Sequence, residues 1–151
     1  MQDAGDFAVS VHDDLPLEAA RSVDAGLGEF NASAAPLHEV RPLACFVRDA
    51  GGTVVGGAVG RTWGLCCELQ QLWVAPQLRR KGIGARLVQA FEARARERGC
   101  RRFYLETFSF QAPAFYASLG YAVGLALQGF APGISKFIMM RDESSGEVAH
   151  G

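Results

Sequence analysis

The chain has 151 residues, 49% hydrophobic and 21% charged, with 15 Lys and Arg against 16 Asp and Glu for a net charge of −1. One domain is expected, because a chain of this length buries roughly 70% of the surface it exposes when unfolded; a disordered chain and a broadly basic nucleic-acid binder are excluded. No apolar run approaches the length of a membrane span, and Met1–Ser10 carries two Asp and no Lys or Arg, unlike a signal peptide, so no membrane partner and a cytoplasmic location are expected.

Taken in chain order, Phe7, Val9 and Val11 alternate and predict a first strand over Phe7–Val11. Pro16 suits a helix start, and Leu17, Ala20, Leu27 and Phe30 give that helix an apolar side that Gly26 and Gly28 weaken or divide. Strands are predicted over Ala44–Arg48, Thr53–Trp63 and Cys66–Val74, with turns at Asp49–Gly52 and Gly64, forming an antiparallel meander. Ile83, Leu87, Phe91 and Ala95 recur at helical spacing, Glu92 precedes Arg96 by four in the supportive order for an ion pair, and Gly99 stops the helix. A strand over Arg101–Phe108 follows, then a short helix over Pro113–Leu119, and two closing strands over Tyr121–Leu127 and Ile134–Met140. Asp142–Gly151 reads as a loose polar tail, leaving a core of about 7–141. This order is α+β with a mixed sheet.

The four cysteines, Cys45, Cys66, Cys67 and Cys100, show no Cys-x-x-Cys spacing, and no histidine stands at metal spacing, so reduced thiols and no metal are expected.

The chemistry lies in Leu72-Trp73-Val74-Ala75-Pro76-Gln77-Leu78-Arg79-Arg80-Lys81-Gly82-Ile83-Gly84-Ala85. A strand ends, a basic glycine-bearing loop follows, and a helix begins. The unpaired N–H groups and positive dipole end of that helix favour an anion. Arg79, Arg80 and Lys81 oppose the dipole, so simple capping explains them poorly, whereas a pyrophosphate uses both features. The loop is not a Walker A loop, since Lys81 precedes Gly82. Gly56-Gly57-Ala58-Val59-Gly60 lies within a strand-like run and is not a dinucleotide fingerprint.

Arg79-x-x-Gly82-x-Gly84 between that strand and helix resembles the acyl-CoA loop of the GNAT N-acetyltransferases. Ser109-Phe110-Gln111-Ala112-Pro113-Ala114-Phe115-Tyr116-Ala117-Ser118-Leu119-Gly120-Tyr121 is similar to the second signature of that family, and stands in the expected order and separation. Leu105–Ala112 further resembles a bacterial subgroup of unknown substrate. The resemblance covers roughly residues 7–141. It implies a GNAT-like, mostly antiparallel central sheet of six to seven strands flanked by about four helices, with acetyl-CoA as cosubstrate.

Residue by residue, the resemblance implies that backbone N–H groups of Arg80, Lys81, Gly82, Ile83, Gly84 and Ala85 hold the pyrophosphate, with Arg79 in the signature position. Leu72 and Val74 pair with the pantetheine arm, and the Val74 N–H polarises the thioester carbonyl. Tyr116 matches the tyrosine that protonates the departing sulfur. Glu68 is the candidate base, or alternatively orders water or meets the acceptor's positive charge; Glu106 and Gln70 are weaker candidates. Ser109 replaces the family asparagine, with Gln111 as a substitute, and Ala112 and Phe115 belong to the same cofactor-binding segment. Trp63, Trp73, Phe108 and Phe110 line an acceptor pocket or belong to the core. The expected activity is acetyl transfer to the primary amine of a small molecule or peptide by direct attack. The alternative is a non-catalytic acyl-CoA sensor. The resemblance also allows a homodimer.

Overall fold

The computed structural model describes residues 4–144. The chain falls into two compact units, one ending at Leu37 and the other beginning at His38. The first holds helix α1, Leu17–Ala34, which runs unbroken through Gly26 and Gly28 after Pro16 in its extended N-cap position. No strand forms over Phe7–Val11: alternation supplies a two-faced segment, but a strand also needs a ladder partner, and none is paired with it.

The second unit carries β1 (Arg41–Arg48), β2 (Val54–Trp63), β3 (Cys66–Val74), α2 (Ile83–Glu97), β4 (Arg102–Phe108), α3 (Pro113–Ser118), β5 (Ala122–Leu127) and β6 (Lys136–Asp142). The six strands form one sheet in the order β1-β2-β3-β4-β6-β5, parallel only between β3 and β4. Among the described residues three α-helices stand, against the expectation of about four. β1 starts three residues before Ala44, because Pro42, which has no N–H to give, is tolerated on an edge strand. Asp142–Ser144, expected to open the tail, are instead held in place. Asp142 ends β6, and Glu143 and Ser144 are tied down beyond it; residues 145–151 of the expected tail lie outside the described residues.

One face of the sheet packs on α2. Leu87, Val88, Phe91 and Ala95 lie a helical turn apart and are buried with Ala58, Cys67, Leu69, Phe103, Leu105 and Met139. Among the described residues no helix is long and apolar enough to cross a membrane, and no group of His, Cys, Asp and Glu could hold a metal.

Glu92 is buried on the same helix face at 4% exposure, so its charge must be matched inside the protein. Tyr121 Oη donates to its Oε2 at 2.6 Å, and Arg141 Nη2 lies 2.8 Å from the same oxygen. Arg96 Nη2 lies 3.7 Å from Glu92 Oε1, as the four-residue spacing anticipates, but Arg96 binds Glu143 more closely, Nε donating to Oε1 at 2.9 Å and Nη2 to Oε2 at 2.8 Å. Arg141 Nη1 donates to Leu119 O at 2.7 Å, which fastens the end of α3 to β6.

The register of β2 on β3 slips by one residue between Val59 and Gly60, leaving Gln70 as an extra residue on β3. Gly60 faces this bulge at very short range: a methyl group there would meet Glu68 O at 1.9 Å and Phe91 Cζ at 2.9 Å. The bulge also reverses which β3 side chains point at α2. Leu72 and Val74 pack against the core, whereas strict alternation from Cys67 and Leu69 would send Gln71 and Trp73 there.

Gly60→Ala is expected to lower stability by about 1–3 kcal/mol through overpacking of backbone on backbone, seen as a lower urea midpoint. Arg96 holds the Glu143 carboxyl below its ordinary range, first through their hydrogen bond. The stabilisation is thus complete above the ordinary value of 4.5 and fades as pH falls through the lowered one. Glu143→Gln is expected to cost about 0.5 kcal/mol at neutral pH and to flatten the acid limb of a stability–pH curve.

Candidate active site

Parallel pairing between β3 and β4 covers only four positions, from Cys66–Arg102 to Leu69–Leu105. The strands then part where the Gln70 bulge bends β3. Beyond it, β3 remains paired with β2 up to Val74, but its other edge faces a gap. That edge offers unpaired N–H and C=O groups to an extended chain laid alongside.

The loop after β3 closes one end of the gap. Pro76–Leu78 forms a short 3-10 turn, and Arg79 Nε donates back to Val74 O at 3.1 Å, so the signature arginine braces its own loop. Arg80 has φ 65°, the only positive φ outside glycine among the described residues, and Gly82 has φ 75°. Gly82 is the N-cap of α2 and supplies no side-chain cap, so the first-turn N–H groups of Ile83, Gly84 and Ala85 are left for a ligand. A methyl on Gly84 would touch Phe115 Cζ at 3.4 Å and Val74 Cγ2 at 3.9 Å, which shows how closely α2, α3 and β3 converge.

These elements enclose a cleft of about 730 Å³. Leu72, Val74, Arg79, Arg80, Gly82, Ile83, Gly84, Ala85, Ala112 and Phe115 line it, together with Trp73, Leu78, Phe110 and Gln111. Leu78 was not anticipated; its place in the 3-10 turn was the missing cue. Lys81 and Ser109 do not line the cleft. Ser109 instead binds the segment before β6, accepting from Ser135 N at 3.0 Å and donating to Gly133 O at 3.4 Å. Gln111 Oε1 accepts from Phe108 N at 2.8 Å, so its side chain caps the turn after β4.

Tyr116 is buried in the core cluster, with its ring edge-on to Phe115 and Tyr121. Its hydroxyl makes no hydrogen bond among the described residues, yet it is not one of the fully buried unpartnered atoms. Burial pushes its phenol above the ordinary value, so it carries its proton at neutral pH. Glu68 stands at the second-last paired position before the gap, on the sheet face opposite Cys67 and Leu69. Its Oε1 accepts from Arg61 Nε at 3.0 Å and Gln70 Nε2 at 3.2 Å. Tyr104 is its partner across the pair, and burial, then Glu68, raises that phenol. Trp63, Trp73 and Phe110 are exposed and Phe108 half-buried, so none of these four is core. The four thiols are free; burial pushes Cys45 and Cys100 up and Cys67 up to about 12, which disfavours the thiolate at those three.

Residues 14–121 match the model of the acetyltransferase (GNAT) family. Over 111 residues the chain is 36% identical to blasticidin-S acetyltransferase of Streptomyces morookaense, covering 71% of this chain and 82% of that one. It is 30% identical over 104 residues to acetyltransferase Atu2258 of Agrobacterium fabrum, covering 69% and 76%. The crystal structure of an acetyltransferase from Bacillus cereus superposes with a TM-score of 0.74 at 25% identity, over 89% of this chain and 97% of that one. With the family model spanning most of its length and the parted strands, basic loop and Tyr116 segment all in place, the chain belongs to the GNAT family and is an N-acetyltransferase.

Proposed function

We propose that the protein moves an acetyl group from acetyl-CoA to the primary amine of a small molecule or peptide by direct attack within a ternary complex. The observation that carries this reading is the single cleft joining the unpaired edge of β3 to the uncapped N-terminus of α2. Acetyl-CoA supplies the acyl group as a thioester. The first-turn N–H groups from Gly82 to Ala85, with Arg80, hold its pyrophosphate, and Lys81, beside the cleft, adds only its charge. The β3 edge at Leu72 and Val74 pairs with the pantetheine arm, and the Val74 N–H stabilises the negative charge that develops on the carbonyl oxygen. Glu68, directly or through water, takes the proton that the acceptor's ammonium must lose before nitrogen attacks. Tyr116 gives its phenolic proton to the departing sulfur. The similarity to blasticidin-S acetyltransferase supports a small-molecule acceptor and places that antibiotic in the panel of amines to be tried.

Tyr116→Phe is expected to lower kcat by about 10²–10⁴ with little change in the affinity for acetyl-CoA; turnover equal to the parent removes Tyr116 from the mechanism. The cofactor site is checked by titration calorimetry. Gly82→Val places a β-branched residue at positive φ, and acetyl-CoA binding should be lost while circular dichroism remains that of the parent. Retained affinity would put the pyrophosphate elsewhere, and no thiol release with any amine would refute the transfer reaction.

A further inference from the structure

The sheet face opposite α2 carries, beside the gap, a structure that the acetyl-transfer reading does not use. Tyr104, Glu106 and Phe108 alternate onto this face of β4, and Lys136 lies directly across from Phe108 in the β4–β6 ladder. The Lys136 side chain, 30% exposed, folds back over this face. Nζ sits 5.1 Å from the centroid of Phe108, 5.8 Å from that of Phe130 and 3.7 Å from Glu106 Oε2. The two rings stand at 83° with centroids 5.5 Å apart, so with the carboxylate they make a three-walled box around a cation. Phe110, which lines the cleft, stacks on Phe108 at 5.3 Å and connects the box to the cleft.

Its height on the sheet places this box beside the unpaired stretch of β3. Phe108 lies three residues past Leu105, the last paired position of β4, and Leu72 lies three past Leu69, the last of β3. Glu68 and the box thus stand on one face, Glu68 on β3 just before the strands part and the box on β4 beside the gap. We propose that the box is a second-cation subsite of the acceptor pocket, which Lys136 fills from within the chain, and that the acceptor carries a further cationic group beside the amine that is acetylated. The proposal rests on the acetyl-transfer reading. Diamines and amino-guanidines fit it: one cation replaces the Lys136 ammonium against Glu106 and the rings, and the other end reaches the gap beside Glu68. A lone amine held in the box would be kept from the thioester. The exchange conserves the charge around Glu106, and near the surface the contacts that hold Lys136 are weak enough to yield.

Lys136→Met empties the box of its internal cation without removing a wall. It should lower KM for 1,4-diaminobutane about three- to tenfold and raise the preference for that diamine over n-butylamine. Lys136→Arg refills the box and should restore the parent's KM. An unchanged or higher diamine KM in Lys136→Met overturns the proposal. Should the parent acetylate neither amine, tetramethylammonium titrated against the phenylalanine ring signals in NMR tests the box alone. Tighter binding to Lys136→Met than to the parent supports the subsite, and equal or weaker binding overturns it. Failure of acetyl-CoA to bind in calorimetry refutes the transfer reading separately.

Discussion

The extra residue at Gln70 is the constraint on which the site depends. A parallel pair that stayed in register through Val74 and Phe108 would close the sheet and leave no edge for an extended ligand. The bulge ends the pairing after Leu69, bends β3 away from β4, and reverses side-chain parity so that Leu72 and Val74 still seal against α2. Gly60 makes this possible because only a residue without Cβ fits against Glu68 O. A small packing requirement in β2 therefore accompanies the opening at the centre of the sheet, directly beyond the regular pair of Glu68 and Tyr104.

A second constraint joins the walls of the cleft. The basic loop proposed to hold the phosphates leads into α2, while Phe115 and Tyr116 ride on the short helix α3, which is too short to hold its own position. Buried Glu92 links the two. It accepts from Tyr121, whose ring packs on Tyr116, and it faces Arg141, which in turn holds Leu119 at the end of α3. Breaking one partner would strand a buried charge, so the arrangement resists partial loosening.

Much of this was legible in the residues. The period of Ile83, Leu87, Phe91 and Ala95 gave the helix and its buried face, and the loop from Arg79 to Gly84 together with the Tyr116 segment located the cleft. The bulge was written in Leu69-Gln70-Gln71-Leu72, where two apolar residues stand three apart in a strand that should repeat every two. Phe7–Val11 misled because alternation reports two faces and says nothing of a ladder partner. Ser109 and Gln111 read as candidates for the cofactor because hydrogen-bonding capacity does not reveal direction, and both side chains serve the turns beside them. Glu143 looked like part of a polar tail since its partners, Arg96 and Arg141, lie far back in the chain.

The strand order has a consequence for how the molecule comes into being. β1, β2 and β3 are neighbours in both sequence and space, so that half of the sheet closes through short turns as soon as it is synthesised. β6 instead enters between β4 and β5, and its Arg141 and the adjacent Glu143 complete the charges around Glu92. While residues 136–143 are still inside the ribosome, β4 and β5 have no common neighbour and Arg141 cannot yet fasten α3. The loop from Arg79 to Gly84 can be assembled on a nascent chain, whereas the Tyr116 side of the cleft waits for that last insertion.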